Sequence, residues 1–284
     1  MATLLSCLFI NIRSEWYSVD YWYIMIILLL MIGWMIIMIK LTDYIYFGDY
    51  NGKIQELANM SPEQWNFSGQ TGNSILKNYL QFTLNKLLEE KKVIENKNYA
   101  LFNTGLFTEY YEPIYFYLEP NNAGGSQKWY LKQITTEYGL GCLGITEVPE
   151  RANYFQNPEL LIFDAKCKIN VHFKHILKDE ENIKRMPKEI QESSNIQSSL
   201  IGAIDIMKKK VTANYKIAVP QYFEGKIQLL LPLYLLEKPQ PDLALVVTKN
   251  PSGNSYQGHT CLTMQMAYNN ARLIAKPDSN WLIP

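Results

Sequence analysis

At 284 residues, with 48% hydrophobic and 19% charged side chains, the chain holds material for one large or two small domains with a sizeable core. Lys+Arg and Asp+Glu both number 27, and 25 of each follow Lys40. That balance excludes the general basic field of a non-specific nucleic-acid binder, while leaving room for a local RNA patch. Cys7, Cys142, Cys167 and Cys261 show no CxxC spacing and are too scattered for a disulfide framework, so they read as reduced, packed thiols.

After an N-terminal tail of residues 1–20, Tyr21–Ile39 carries no charge and is rich in Ile, Leu, Met, Trp and Tyr. Nineteen residues at 1.5 Å each span about 28 Å as a helix, close to the thickness of a bilayer's hydrocarbon core. Tyr21, Trp22 and Tyr23 stand at one end as an aromatic belt, with Lys40 beyond the other. The segment predicts a transmembrane helix. A slight excess of positive charge after it (Lys40 and Lys53 against Arg13) places the following domain on the cytoplasmic side. The alternatives are a buried core helix, or upstream sequence read from a wrongly assigned start, which would leave a cytoplasmic domain.

From residue 43 the pattern predicts one α+β domain reaching residue 284. A short helix is expected over Gly52–Met60, ended by Ser61-Pro62, and a stronger one from Asn73 or Ser74 to Lys92 with its apolar stripe at Ile75, Leu76, Tyr79, Leu80, Phe82, Leu84, Leu87 and Leu88. Strands are expected at 98–103, 113–118, 128–137, 160–164 and 168–174, with Asn121–Gly125 as a hairpin-like loop. Residues 178–192 are charged and partly helical, broken by Pro187. A helix follows over Asn195–Thr212, with Ile196, Leu200, Ile204, Met207 and Val211 on one face. Two hairpins come next, turning at Glu224-Gly225 and at Asn250–Asn254, and a last helix runs over Leu262–Ile274 with Thr260 or Thr263 as its cap. The expected architecture is a single mixed or antiparallel sheet packed by about three main helices.

Several stretches carry a resemblance: Tyr99–Leu106, Tyr111–Tyr115, His175–Leu177 with Asp179, Asn182, Arg185 and Pro187, Asn214-Tyr215 with Ala218–Tyr222, Ile227–Leu233, and Met266–Ile274. Together they make residues 43–284 similar to an uncharacterised prokaryotic family, domain of unknown function 3825. Fusions of such domains to small RNA-binding modules imply RNA-related work. The resemblance brings no reaction, no catalytic set and no cofactor, and the apolar run lies outside it.

The candidate chemistry gathers in two places. His172 and His175 would share a face on a helix, as a metal pair must, but point to opposite faces of the expected strand, so no metal site is predicted. His175 followed by Asp179, Asn182 and Arg185 has the spacing to grip a phosphate or a base edge, with His175 as an acid or base. The same spacing also suits a capping and salt-bridge cluster on a solvated face. On the last helix, Gln265, Tyr268 and Arg272 share a face with Asn269 and Asn270 beside them, and Tyr, Asn and Arg are the side chains that stack on and read RNA bases. Ordinary helix packing explains that face equally well. Phosphate-binding-loop, dinucleotide, HExxH and GxSxG motifs are absent from the sequence. The reading is an RNA- or nucleotide-interacting domain, membrane-tethered through 21–39, that binds with His175, Asn182, Arg185, Tyr268, Asn270 and Arg272. The alternatives are an enzyme acting on a nucleotide or RNA phosphate through His175 with Arg185 or Arg272, and an interaction or sensor module without chemistry.

Overall fold

The computed structural model describes residues 38–236 and 239–284. From Lys40 to Pro284 the chain is one compact unit. Its elements run α1 (Leu41–Tyr44), β1 (Ile45–Tyr46), α2 (Tyr50–Met60), α3 (Ser74–Glu89), β2 (Ile94–Glu95), β3 (Ala100–Phe107), β4 (Pro113–Pro120), β5 (Trp129–Thr136) and α4 (Glu137–Cys142). After an irregular stretch come β6 (Lys168–Val171), α5 (Phe173–Lys178), α6 (Glu180–Arg185), α7 (Lys188–Gln191) and α8 (Ile196–Ala213). The chain ends with β7 (Val219–Phe223), β8 (Lys226–Leu233), β9 (Leu243–Lys249), β10 (Ser255–Leu262) and α9 (Met264–Ile274).

The class is α+β, but the single sheet is a correction: there are two five-stranded mixed sheets, ordered β1-β5-β4-β3-β2 and β6-β10-β9-β8-β7. Each is antiparallel except for one parallel edge pair, β1 with β5 and β6 with β10. Sequence patterning marks strands and hairpins but does not say which hairpins share a sheet. The 143–167 stretch between α4 and β6 holds only a single 3-10 turn, Pro158–Leu160, and it separates the sheets along the chain.

The membrane reading is corrected too. Among the described residues no helix is long and apolar enough to cross a membrane, so neither the transmembrane helix nor a membrane-anchored location finds support. All but the last two residues of 21–39 lie outside the described residues.

Burial shows why the second sheet reads as continuous apolar runs. On β8, Leu229, Leu231 and Leu233 enter one core with α8 residues Leu200, Ile204, Met207 and Val211, while Leu230 enters the other. On β9, Leu243, Leu245 and Val247 face the α8 side, and Ala244 and Val246 the opposite one. A sheet covered on both faces has no polar side to alternate with. The opposite core is larger and joins α2, α3 and α9 to the first sheet through Phe102, Phe116, Leu118 and Leu131. The outer face of that first sheet is covered at Leu101 and Tyr115 by Leu140 of α4 and by Ile145.

Local chemistry sets the boundaries. Asp49 accepts from the Gly52 N–H to start α2, and Thr263 accepts from the Met266 N–H to start α9, so Thr263 is the cap. Glu224 and Gly225 turn the β7–β8 hairpin at φ 46° and 78°, as a two-residue hairpin requires. Two strand expectations fail. Residues 160–164 form no strand, and Phe163 stacks on Tyr256 at 4.6 Å instead. The strand expected to 174 stops at Val171, and a helix begins at Phe173.

Candidate functional site

The six sequence-named residues fall into separate groups, and all but His175 have an identifiable physical task. With helix α5 replacing the expected strand, His175 is exposed on a six-residue helix, its ring 6.0 Å from that of His172. Among the described residues, no group of three or more His, Cys, Asp or Glu is placed to hold a metal.

Asn182 and Arg185 complete a sheet edge. The partner strand β6 follows β10 only as far as Gly258, opposite Val171, so the rest of β10 has an open edge on that side. Helix α6, capped by Asp179, closes it. Asn182 Oδ1 accepts from the Thr260 hydroxyl and from the Cys261 N–H, and Arg185 donates to Thr260 Oγ1 at 3.1 Å and to the Cys261 carbonyl at 3.2 Å. Asn182 is 3% exposed. The Cys261 thiol beside them is pushed up to about 12 by burial, with the Arg185 charge opposing, which leaves it unreactive at neutral pH.

Arg272 belongs to the other core. It is 5% exposed and forms a two-pronged ion pair with Glu63, both contacts 2.9 Å. Its guanidinium lies 4.6 Å from the Tyr79 ring centre and 5.0 Å from that of Trp65. Tyr268, one turn earlier, is buried edge-on against Phe67. Asn270 starts a chain of side-chain amides, donating to Gln221, which donates to Gln228, which donates to Thr248. The structure therefore does not bring His175 and Arg272 into one shared site.

What it does bring together is a cleft of about 430 Å³ over the Arg272–Glu63 pair. One wall is the tip of the β3–β4 hairpin. Here the Asn103-Thr104-Gly105 run earns its place: Thr104 Oγ1 donates to the Ile114 carbonyl and accepts from the Leu106 N–H, and the strand register shifts between Asn103 and Phe107. Such a bulge re-aims the strand beyond it. The Thr108 hydroxyl oxygen then accepts from the N–H groups of Tyr110 and Glu112, closing the tip. Tyr110 and Tyr111 are left 77% and 84% exposed, Tyr111 at φ 62°. A bulky residue in the left-handed region is strained, and such strain collects at ligand sites.

Asn103 also donates to the Pro149 carbonyl, anchoring the opposite wall. That anchor sets Arg151 with its guanidinium 5.6 Å from the Phe107 ring. Arg151 and Lys276, both exposed on the cleft, make no ion pair among the described residues, whereas Glu63 is occupied by Arg272. Glu109 is the other carboxylate of the lining. Sequence reasoning passed over Tyr111, Arg151 and Lys276. The scarcity of arginine was the available signal: Arg13, Arg151, Arg185 and Arg272 are the chain's only four.

Gly105 is the hinge of this wall. Its φ is 73°, and an added Cβ would stand 2.5 Å from the hydroxyl of Tyr79, a buried side chain with little freedom to move aside. Gly105→Ala is expected to cost about 1–3 kcal/mol, read from chemical denaturation; an unchanged midpoint would refute the assignment.

No curated protein and no solved structure matches this chain. Residues 57–281 match the family described as Domain of unknown function (DUF3825), and the chain belongs to that family.

Proposed function

We propose that this domain binds single-stranded RNA, or a nucleotide of it, in the cleft between the β3–β4 tip and Arg151. The carrying observation is Tyr111: a strained, solvent-facing aromatic ring on the same cleft as Arg151 and Lys276, two cations that make no ion pair among the described residues. A base stacks on an exposed ring whatever its sequence, and Arg151 and Lys276 supply the phosphate contacts. Arg272 serves as the fixed floor, held by Glu63, and Asn270 and Tyr268 support that floor from within α9. The balanced net charge fits a contact confined to one cleft.

His175, Asn182 and Arg185 stand outside this site. Asn182 and Arg185 have their hydrogen bonds in the β10 edge.

Fluorescence anisotropy with a labelled single-stranded RNA tests the reading. Loss of a base stack costs about 1–3 kcal/mol, so Tyr111→Ala with Arg151→Ala is expected to weaken binding by roughly ten- to a hundredfold without lowering the melting temperature. With two phosphate contacts, the logarithm of affinity should fall with the logarithm of salt at a slope of about −1.4. Equal affinity of the double variant and the parent would reject the site.

A further inference from the structure

A second cleft, of about 310 Å³, opens where the 153–160 stretch faces the β7–β8 turn. Lys86, Lys226 and Lys249 line it with the amides of Asn153, Gln156 and Asn157, and no carboxylate is part of the lining. Lys86 lies at the buried end, its side chain 9% exposed and its Nζ 5.1 Å from the Tyr222 ring centre. Burial alone would lower the Lys86 amine, but Tyr222 and the carboxylates of Glu89 and Glu90 outweigh it and hold the ammonium protonated.

Lys86 has two counter-ions, Glu89 at 3.6 Å from its Nζ and Glu90, and Glu90 is divided. It stands 3.3 Å from Lys86 Nζ, 3.1 Å from Lys92 Nζ, and accepts the Asn153 N–H at 3.0 Å. Lys226 and Lys249 form no ion pair among the described residues, although the Asp164 carboxylate is close enough to Lys249 to feel its charge. The Thr248 hydroxyl adds a donor to the same walls. Thr248 ends the amide chain from Asn270 as an acceptor, which leaves its own proton for the cleft. Tyr154 is 6% exposed, its ring edge-on to Tyr222 at 4.8 Å and its hydroxyl beside that of Thr83 on α3.

We propose that this lysine-lined cleft is a phosphate-binding site separate from the Arg151 cleft. Its polar lining includes three ammoniums, three amides and the Thr248 hydroxyl beside the apolar Leu160 and Ile227, which suits a dianion with several oxygens to share among the donors. Lys86 fixes the buried oxygen, and Lys226 and Lys249 close over the outer ones. The phosphate is either free or the 5′ end of an RNA strand.

The test is titration calorimetry on the full chain with inorganic pyrophosphate as the probe. Because Lys86 is buried and Lys86→Met risks the fold, the rim variant Lys226→Met with Lys249→Met is the decisive one. The parent is expected to bind and the rim variant to bind at least tenfold more weakly, while Arg151→Ala keeps parental pyrophosphate affinity. Succinate, a dianion of carboxylates, should bind at least tenfold more weakly than pyrophosphate. Absence of pyrophosphate binding, equal binding by the rim variant, or equal binding of succinate would each overturn the proposal. A preference for 5′-phosphorylated over 5′-hydroxyl oligonucleotide, lost in the rim variant, assigns the phosphate to RNA ends; equal affinity for the two, with pyrophosphate still bound, assigns it to a free phosphate compound. Because Arg151→Ala separates the two clefts, failure here leaves the RNA reading standing, and failure of that reading leaves this one.

Discussion

Arg272→Ala is expected to lower the stability of the domain by about 3–5 kcal/mol, the usual cost of breaking a buried ion pair from one side. The truncation strands Glu63, whose side chain is only 20% exposed, next to the hydrophobic rings of Trp65 and Tyr79. It also removes the guanidinium surface against which those rings pack. For a unit of this size that loss corresponds to a melting temperature lower by on the order of 10 °C. Arg272→Lys should fall between the two, because a lysine keeps the charge but cannot make the two-pronged contact or stack as a plane. Removing both partners, Glu63→Ala with Arg272→Ala, should cost less than the sum of the single losses, since neither charge is then left alone. Thermal and urea unfolding of the parent, the two Arg272 variants, Glu63→Ala and the double variant decides it. A loss below about 1 kcal/mol for Arg272→Ala would place the pair with ordinary surface salt bridges and remove the floor from the proposed RNA cleft.

How much of this was legible beforehand can be followed through the residues. Helix α3 was readable because its eight apolar residues from Ile75 to Leu88 keep the helical period; six are buried, and Phe82 and Leu88 pack half-buried against the same core. The hairpin at Glu224-Gly225 was readable because the turn demands residues that tolerate positive φ. Two sheets in place of one were not readable, since period-two patterning describes a strand and its faces but not its neighbours. Arg272 was singled out for its position on α9, yet the feature that fixes it is Glu63, 209 positions earlier in the chain. Sequence spacing sees only partners on the same element. The same limit hid the Arg151 cleft, whose walls come from the β3–β4 tip, the 149–152 stretch and the end of α9. His175 was misplaced for a different reason: Val171, His172 and Phe173 suit a strand locally, but β6 stops where β10 bends at the register shift between Gly258 and Thr260.

That bend sets up the second large effect. Asn182→Ala is expected to cost about 2–4 kcal/mol, because it leaves the Cys261 N–H and the Thr260 hydroxyl without the acceptor they share. Arg185 does not compensate, since it only donates and is already engaged with the Cys261 carbonyl. Water is a poor substitute at a residue 3% exposed. Asn182→Asp preserves the acceptor and adds a carboxylate next to Arg185, so it should retain most of the stability that the alanine loses. The readout that separates an edge cap from general packing is amide hydrogen exchange. In the alanine variant the Cys261 amide should lose protection by a larger factor than Leu245 on the neighbouring strand β9, because only the open side of β10 has lost its partner. Parallel loss at both positions would mean that Asn182 packs rather than caps. RNA affinity at the Arg151 cleft should be unchanged in either variant, because the capped edge and that cleft share no residue.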